Sequence, residues 1–332
     1  MKILITGGAG FIGSHLTDKF LNEGYKVRVL DNLINGKLEN LSQNENNPNF
    51  EFLNGDILDK NTCQTALENI DFVFHLACLG VRHSLHSPFE NHKVNAEGTL
   101  NVLEASKQAN VKHVFYISTS EIYGKTVQFP ITETAPTAPL TVYGASKLVG
   151  EHYAHAYSEC FGLTSTVLRI FNNYGPRAHY EGDAGEIIPR SIVKVLYNEK
   201  PMIFGDGSIT RDFFYVKDTA KALFELFKIK QTVAGSVLNG ETINIGTGVE
   251  YSMKFLLENL IKTMNREDLG LEYLPDRPAD VPRLWVDAKK FYDLTHFQPQ
   301  YTFQEGLAET VAYYETLMKE KNLIAEVQQK NW

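Results

Sequence analysis

Apolar runs and amphipathic segments alternate through the first half of the chain. The apolar runs that predict strands are Lys2–Thr6, Lys26–Asp31, Phe50–Asp56, Asp71–Ala77, His113–Thr119 and Ser165–Phe171. These runs are rich in Val, Ile, Leu and Phe and do not alternate strictly with polar residues, which is typical of strands that are buried on both faces. The pattern therefore indicates a sheet that is covered by helices on each side.

Helical patterns separate the predicted strands. Apolar residues recur at helical spacing in the segments Phe11–Glu23, Thr62–Asn69, Asn95–Gln108 and Val142–Cys160. Strands that alternate with helices are joined by right-handed crossovers and form a parallel sheet. We therefore predict that residues 1–173 form an α/β domain with a doubly wound parallel sheet of the Rossmann type.

The second half of the chain has a less regular pattern. Its predicted features are a loop at Tyr174–Glu186, a helix at Ile187–Leu196, short strands at Phe214–Val216 and Thr242–Ile245, and two or three helices after Ser252. The two short strands are predicted to rejoin the main sheet, so that segments at about 212–247 return to the first domain. Residues 174–211 and 248–332 are then left for a smaller α/β subdomain that binds the substrate.

Composition narrows the class of protein. The chain has 332 residues, 43% of them hydrophobic, and a net charge of −8 without a basic stripe, which argues against a nucleic-acid partner. The apolar run at the N-terminus is too short for a secretory signal, and no segment reaches the ~18 apolar residues of a membrane span. Three sparse cysteines fit a reducing compartment, so we predict a cytoplasmic protein.

The His83, His86 and His92 group has no Cys or acidic partner at fixed spacing, and we predict no metal site.

Three glycines stand between the first predicted strand and the first predicted helix. Gly7, Gly10 and Gly13 form a G-x-x-G-x-x-G pattern, which permits a tight turn and lets backbone N–H groups approach a pyrophosphate at the helix N-terminus. Asp31 ends the second strand, where an acid accepts hydrogen bonds from the adenosine ribose and repels a 2′-phosphate. This favours NAD over NADP. Asp56 ends the third strand, where it is placed to meet the adenine edge.

Tyr143 and Lys147 lie one helical turn apart and therefore share a helix face. A nearby ammonium group stabilises tyrosinate, and we expect it to lower the pKa of Tyr143 towards neutrality. Such a phenol can take a proton from a sugar hydroxyl while hydride leaves the same carbon. The fifth strand ends in Ser118–Glu121, which offers hydroxyls and a carboxylate at the edge of the sheet where ligands bind.

With these motifs the chain resembles the extended short-chain dehydrogenase/reductases, the nucleotide-sugar epimerase/dehydratase family. The matching segments are TGGAGFIG at Gly7–Gly13, NGDI at Asp56, HLA at His75–Ala77, VNAEGT at Asn95, YGASK at Tyr143, RIFNNYGPR at Asn172, RDFFYV at Arg211 and RPADVPRLWVD at Arg277. They occur in the expected order over nearly the whole chain. The resemblance implies NAD as the cofactor, a UDP-, GDP-, dTDP- or CDP-linked sugar as the substrate, and a homodimer formed through helices at about 96–108 and 145–157.

The resemblance also implies roles for individual residues. The implied cofactor-binding residues are Gly7, Gly10, Phe11, Ile12, Gly13, Asp31, Asn32, Asp56, Ile57, Leu76, Ala77, Asn95, Ser118, Tyr143 and Lys147. Tyr143 is the implied base for oxidation at O4, Lys147 holds the nicotinamide ribose, and Thr119 hydrogen-bonds the sugar O4. The implied substrate-binding residues are Ser120, Asn172, Arg190, Arg211 and Arg277, of which Arg211 and Arg277 clamp the diphosphate with planar guanidinium groups.

Members of this family begin with hydride transfer from C4 of the sugar and differ in the step that follows. A 4,6-dehydratase needs a carboxylate near C5, whereas a 4-epimerase needs no further base and a uronate decarboxylase mainly positions its substrate. Thr119-Ser120-Glu121 resembles the turn of GDP-mannose 4,6-dehydratases and of UDP-glucuronate decarboxylases. Simple epimerases usually have a small, non-acidic residue in place of Glu121. The turn therefore favours a 4,6-dehydratase, with decarboxylase, epimerase and a non-catalytic NAD- or nucleotide-sugar-binding protein as alternatives.

Overall fold

A computed structural model describes residues 1–232, 237–276 and 281–327 of the chain. Its strands are β1 (Lys2–Thr6), β2 (Lys26–Asp31), β3 (Phe50–Asn54), β4 (Phe72–His75), β5 (His113–Thr119), β6 (Ser165–Ile170), β7 (Asn172–Tyr174), β8 (Met202–Phe204), β9 (Thr210–Tyr215), β10 (Thr242–Ile245), β11 (Glu250–Ser252), β12 (Glu272–Leu274) and β13 (Arg283–Leu284). Its helices are α1 (Phe11–Asn22), α2 (Lys60–Leu67), α3 (His83–His86), α4 (Pro88–His92), α5 (Thr99–Gln108), α6 (Val142–Phe161), α7 (Ile187–Leu196), α8 (Val216–Thr232), α9 (Met253–Thr263), α10 (Lys289–Thr295) and α11 (Phe303–Leu317).

The main sheet consists of parallel strands in the order β10-β6-β5-β4-β1-β2-β3. This order confirms the predicted doubly wound Rossmann-type fold. It reverses between β1 and β4, and in such sheets a crevice opens at the carboxyl ends of the strands that flank the reversal. The chain thereby brings the ends of β1, β2, β4 and β5 to one edge.

Helices cover both faces of the main sheet, as the two-sided apolar strands predicted. On one face Phe20 of α1 packs against Phe227 of α8, with ring centroids 4.9 Å apart. On the other face Val102 of α5 and Tyr157 of α6 pack against Val114 of β5. Among the described helices, none is both long and apolar enough to cross a membrane.

The predicted strand Thr242–Ile245 does rejoin the main sheet as β10, but the predicted return of Phe214–Val216 is wrong. Its first two residues lie in β9, which pairs with β7, β11 and β13 in a second sheet. The edge beside β6 is already occupied, because β10 pairs with residues Val167–Ile170 of that strand. β9 instead pairs with β7, which follows β6 after a single intervening residue.

The helix predicted at Asn95–Gln108 is regular only from Thr99. Residues Lys93–Gly98 form a π-helical turn that precedes α5. Asn95 is buried in this wider turn. Such turns occur mostly as local bulges and are common near functional sites.

The second sheet, together with α7, α9 and α11, forms a separate apolar cluster. Ile192, Leu257 and Leu307 lie at its centre and are fully buried. Side chains from this region and from the carboxyl edge of the main sheet line the same cleft. The cleft therefore lies where the two parts of the chain meet.

Candidate active site

A cleft of about 550 Å³ lies at the carboxyl edge of the main sheet, which is a size typical of ligand pockets. Gly10 and Ala77 line it from the loops that follow β1 and β4, and Asp31 and Thr119 line it from the ends of β2 and β5. Arg211 lines it from the second sheet. The cleft thus connects the predicted cofactor site with the predicted substrate region.

The glycine turn is packed so tightly that side chains are excluded. Gly7 has a φ of 70°, and a Cβ on this residue would lie 2.7 Å from the backbone nitrogen of Ala77. A Cβ on Gly13 would lie 2.2 Å from the carbonyl oxygen of Gly7. Helix α1 begins after Gly10 without a side-chain cap, and Phe11 and Ile12 line the cleft. The N–H groups of its first turn are therefore left for an anion such as a pyrophosphate.

The carboxylate of Asp31 is held in a fixed orientation at the end of β2. It accepts hydrogen bonds from the backbone N–H of Ala9 at 3.0 Å and of Leu33 at 2.9 Å. Burial raises the pKa of Asp31, and these two hydrogen bonds act in the opposite direction. A Cβ on Gly36 would lie 2.6 Å from the Asp31 carboxylate, so glycine at this position keeps the space beside it open.

Asn32 and Asp56 form one wall of the cleft at the end where Asp31 lies. Asn32 donates a hydrogen bond to Asp56 at 3.0 Å, and Asp56 also accepts one from the N–H of Leu58 at 2.8 Å. Ile57, which lies between Asp56 and Leu58 in the sequence, lines the cleft as well. This places the predicted adenosine-binding residues together on the β2–β3 side.

Leu76 and Ala77 line the cleft directly after β4, as predicted. Asn95 does not line it. The buried amide of Asn95 accepts from the N–H of Leu79 at 2.8 Å and donates to the Leu79 carbonyl at 3.0 Å and to Ser146 at 3.2 Å. Asn95 thus fixes the loop after β4 against α6.

Ser118 has a similar supporting position. Its hydroxyl donates to the buried carboxylate of Glu151, which also pairs with Arg169 at 2.7 Å. Ser118 still lines the cleft, but its hydroxyl hydrogen is used inside the protein. A buried ion pair that is satisfied by hydrogen bonds in this way fixes β5, β6 and α6 relative to one another.

Tyr143 lies in the first turn of α6 and faces the turn that follows β5. The helix begins with Thr141, whose side chain accepts a hydrogen bond from the N–H of Gly144 at 3.1 Å. Thr119, Ser120 and Glu121 line the cleft beside Tyr143. The helix start therefore brings the predicted base next to the predicted T-S-E turn.

The pKa of Tyr143 differs from the expectation based on spacing. Burial raises it well above 10, the negative charges of Glu121 and Glu186 act in the same direction, and a hydrogen bond with Thr119 opposes them. The expected lowering by Lys147 is wrong for the protein alone, because helical spacing does not report burial or charges from other elements. Tyr143 is therefore a protonated phenol at neutral pH in the protein without ligand.

Lys147 is 2% exposed and lines the cleft. Its ammonium lies 4.4 Å from the centroid of the Tyr116 ring, and burial lowers its pKa. The Tyr116 hydroxyl donates to the backbone carbonyl of Lys147 at 3.0 Å. Packing on Tyr116 thus holds this turn of α6 at a fixed distance from β5.

Asn172 lines the cleft from β7, and its side-chain oxygen is buried without a hydrogen-bond partner in the described part of the chain. A buried acceptor without a partner is costly, so this atom is suited to accept from a bound ligand. Arg211 also lines the cleft and donates to the carbonyls of Thr210 at 2.8 Å and Val281 at 2.7 Å. Asn172 and Arg211 thus both line the cleft, as expected for residues that were predicted to bind the substrate.

Arg190 does not line the main cleft. It lines a smaller adjacent cavity with Ile187, Ser191 and Phe204, and this cavity shares Arg82 and Ile187 with the cleft. The predicted substrate contact of Arg190 would therefore have to occur in that side cavity. Arg277, the other predicted diphosphate ligand, lies outside the described residues.

A family model described as GDP-mannose 4,6 dehydratase matches residues 4–310 of the chain. The chain belongs to this family. The match confirms the resemblance to the extended short-chain dehydrogenase/reductases that modify nucleotide sugars, and it covers both the cofactor and the substrate side of the cleft.

Individual relatives extend over nearly the same length. A protein of Methanocaldococcus jannaschii named putative UDP-glucose 4-epimerase is 38% identical over 93% of this chain and 97% of its own. UDP-glucuronic acid decarboxylase 1 of Danio rerio is 31% identical over 94% of this chain and 72% of its own. The solved dTDP-glucose 4,6-dehydratase of Streptomyces venezuelae, which contains NAD, has a TM-score of 0.89 and 30% identity over 96% of this chain and 98% of its own. The NAD in this last structure confirms NAD as the cofactor to which the glycine turn and Asp31 pointed.

Some cleft-lining residues had no role assigned from the sequence. Among them are Cys78, Arg82, His179 and Glu186. His179 and Glu186 come from the segment before α7, which has loop composition and no periodic pattern. The one local signal for Glu186 was an acidic residue directly before the apolar start of a helix, Ile187–Leu196.

Proposed function

We propose that the chain is an NAD-dependent nucleotide-sugar 4,6-dehydratase. The observation that carries the proposal is the position of Glu121, which lines the same cleft as Tyr143 and is close enough for its charge to raise the pKa of that phenol. Glu121 thereby supplies the carboxylate that a dehydratase needs near C5 and that an epimerase does not need.

NAD, when bound, accepts the hydride from C4 of the sugar and later returns it. The glycine turn, Asp31 and the buried Lys147 are the residues that would hold it. Tyr143, with Thr119 beside it, would take the proton of the C4 hydroxyl. The positive charge on the nicotinamide ring of bound NAD would oppose the effects that raise the pKa of Tyr143 in the protein alone.

After C4 is a ketone, the proton on C5 is acidic and Glu121 would remove it. The C6 hydroxyl then leaves as water, with the proton returned from the same carboxyl group. Ser120, which is buried next to Glu121, has no acidic proton at neutral pH and therefore cannot replace Glu121 as the acid. Return of the hydride to C6, and delivery to C5 of the proton that Tyr143 took from the C4 hydroxyl, would give a 4-keto-6-deoxy sugar with no net change in the cofactor.

The test is incubation with UDP-, GDP-, dTDP- and CDP-linked hexoses and their uronates, followed by mass measurement of the products. Loss of water supports the dehydratase, and loss of CO2 or an isomer of unchanged mass contradicts it. Glu121→Gln should reduce water loss by about a hundredfold while reduced cofactor still forms, because only the second step needs this carboxylate. Equal and mild effects on both steps would also contradict the proposal.

A 4-epimerase is the second candidate, and the similarity to the Methanocaldococcus jannaschii protein favours it. An epimerase would leave Glu121 without a chemical role, so Glu121→Gln would leave turnover nearly unchanged. A non-catalytic NAD- or nucleotide-sugar-binding protein is the alternative from another class. Tyr143, Lys147, Thr119 and Glu121 line one cleft, which argues against it, and turnover of any sugar in the panel excludes it.

A further inference from the structure

Glu186 is a second carboxylate on the substrate side of the cleft. It is the residue that precedes α7, yet its side chain does not cap that helix. Its backbone N–H donates to the carbonyl of His179 at 2.7 Å, which fixes the residue in place. Within the described part of the chain, no hydrogen bond or ion pair engages the carboxylate itself. The position therefore has no evident structural reason to be acidic.

The charged groups that face Glu186 come from several elements. Arg82 from the loop after β4 and His179 favour its ionised form, whereas Glu181 opposes it. His179 and Lys37 both pair with Glu181, at 2.9 and 2.7 Å. Both residues therefore already have a carboxylate partner in Glu181.

The charge of Glu186 also acts on the phenol of Tyr143, from α6, as does the charge of Glu121. Glu186, Glu121 and Tyr143 also line the same cleft, so two carboxylates share it with the phenol that would take the C4 proton. A hexose whose C4 hydroxyl met Tyr143 would carry its C6 group on the adjacent ring carbon, so this group would lie in the cleft that these carboxylates line. A carboxylate accepts hydrogen bonds from sugar hydroxyls and repels a second carboxylate.

We propose that Glu186 selects nucleotide sugars with a neutral C6 group and disfavours uronates, an inference that rests on the C4 oxidation of the proposed function. Glu186 is a specificity-determining residue in this assignment and performs no proton transfer. The substrate class is then a nucleoside diphosphate linked to a neutral hexose. This would separate the chain from decarboxylases, whose substrate must carry a C6 carboxylate.

Burial raises the pKa of Glu186 to about 7, so the carboxylate is mostly ionised at about pH 8. At this pH the full-length protein with NAD is titrated with UDP-glucose and with UDP-glucuronate, and the two Kd values are compared. If UDP is not the preferred nucleotide, GDP-mannose and GDP-mannuronate form the matched pair. The measurements use a Tyr143→Phe background, which prevents turnover during the titration.

The expected result is that the neutral sugar binds at least about tenfold more tightly than its uronate, and that Glu186→Gln removes most of this difference. Glu258→Gln, which removes an exposed carboxylate of α9, should leave the ratio unchanged. Glutamine is close in size to glutamate, and Glu186→Gln removes no helix-cap hydrogen bond. Glu186→Ala provides a second variant that removes the same charge.

Equal or tighter binding of the uronate by the unsubstituted protein overturns the inference, since Arg82 would then dominate the local charge. A ratio that Glu186→Gln and Glu186→Ala both leave unchanged overturns it as well. Failure of this inference can be distinguished from failure of the proposed function, because this test measures binding and not turnover. Preference for the neutral sugar without water loss contradicts only the dehydratase, and water loss without the preference contradicts only the role of Glu186.

Discussion

A Cβ on Gly144 would lie 2.9 Å from the carbonyl oxygen of Glu121. The first turn of α6 therefore packs directly on the turn that follows β5. This contact sets the position of Tyr143, the residue before Gly144, relative to the carboxylate of Glu121. The two groups that we assign to successive chemical steps are thus held together by backbone packing.

Gly144→Ala should push these two turns apart and reduce turnover by about a hundredfold, since small displacements of reacting groups are that costly. The added methyl would also meet Pro139 at 2.9 Å, so neither side can yield easily. Turnover and NAD affinity are measured for the variant and the unsubstituted protein. We expect NAD affinity to change by less than about threefold, because the glycine turn and Asp31 are not affected. Unchanged turnover would show that the contact does not position Tyr143.

Tyr143→Phe should abolish turnover while NAD binding persists. The substitution removes the hydroxyl that would take the C4 proton and leaves the ring that packs in the first turn of α6. The matched control is Tyr153→Phe, which makes the same change on α6 at a residue that does not line the cleft. Retention of most of the activity in Tyr143→Phe would refute the assignment of the base.

The parts of the fold that local pattern determines could be predicted from the sequence. β1, β2, β5 and β10 and helix α7 have the predicted bounds, because two-sided burial and helical periodicity are visible in the residues themselves. The pairing of β9 could not be predicted in this way. It depends on β10 occupying the edge beside β6, which is a contact between distant segments.

The same distinction applies to the site. The spacing of Tyr143 and Lys147 predicted that both line the cleft, and they do. The direction of the Tyr143 pKa did not follow from that spacing, because burial and the charge of Glu186 come from elements far along the chain. Glu186 itself lies in an irregular segment, where no periodic pattern indicates which side chains face the cleft.

Because His75 is buried in its neutral form, we predict that the folded protein loses stability in acid. This histidine is fully buried in β4, where Thr6 and Thr99 contact its two ring nitrogens at 2.7 and 3.0 Å. Burial lowers its pKa from 6.5 to about 3. The unfolded chain therefore binds a proton below pH 6.5 that the folded protein cannot bind. The contribution of neutral His75 to the free energy of unfolding is fully present above pH 6.5 and is lost as the pH falls towards 3.

From this difference we expect His75 to lower the free energy of unfolding by about 2 kcal/mol between about pH 7.5 and 5. Urea unfolding at the two pH values is compared for the unsubstituted protein and for His75→Gln, which does not titrate. The variant should lose less stability in acid by that amount, whatever its stability at neutral pH. His152→Gln, an exposed position on α6, should not change the pH dependence. An identical pH dependence for His75→Gln and the unsubstituted protein would exclude this role of His75.

Asp31→Asn should weaken NAD binding and reduce the preference for NAD over NADP. The substitution keeps the shape but removes the charge that repels a 2′-phosphate and one of the two acceptor oxygens that bond to Ala9 and Leu33. We expect the Kd for NAD to rise about tenfold and the ratio of the Kd for NADP to the Kd for NAD to fall by a similar factor. Asp206→Asn, an exposed aspartate away from the cleft, serves as the control. If Asp31→Asn binds NADP as poorly as the unsubstituted protein does, the discrimination arises elsewhere, from the shape of the loop that contains Gly36.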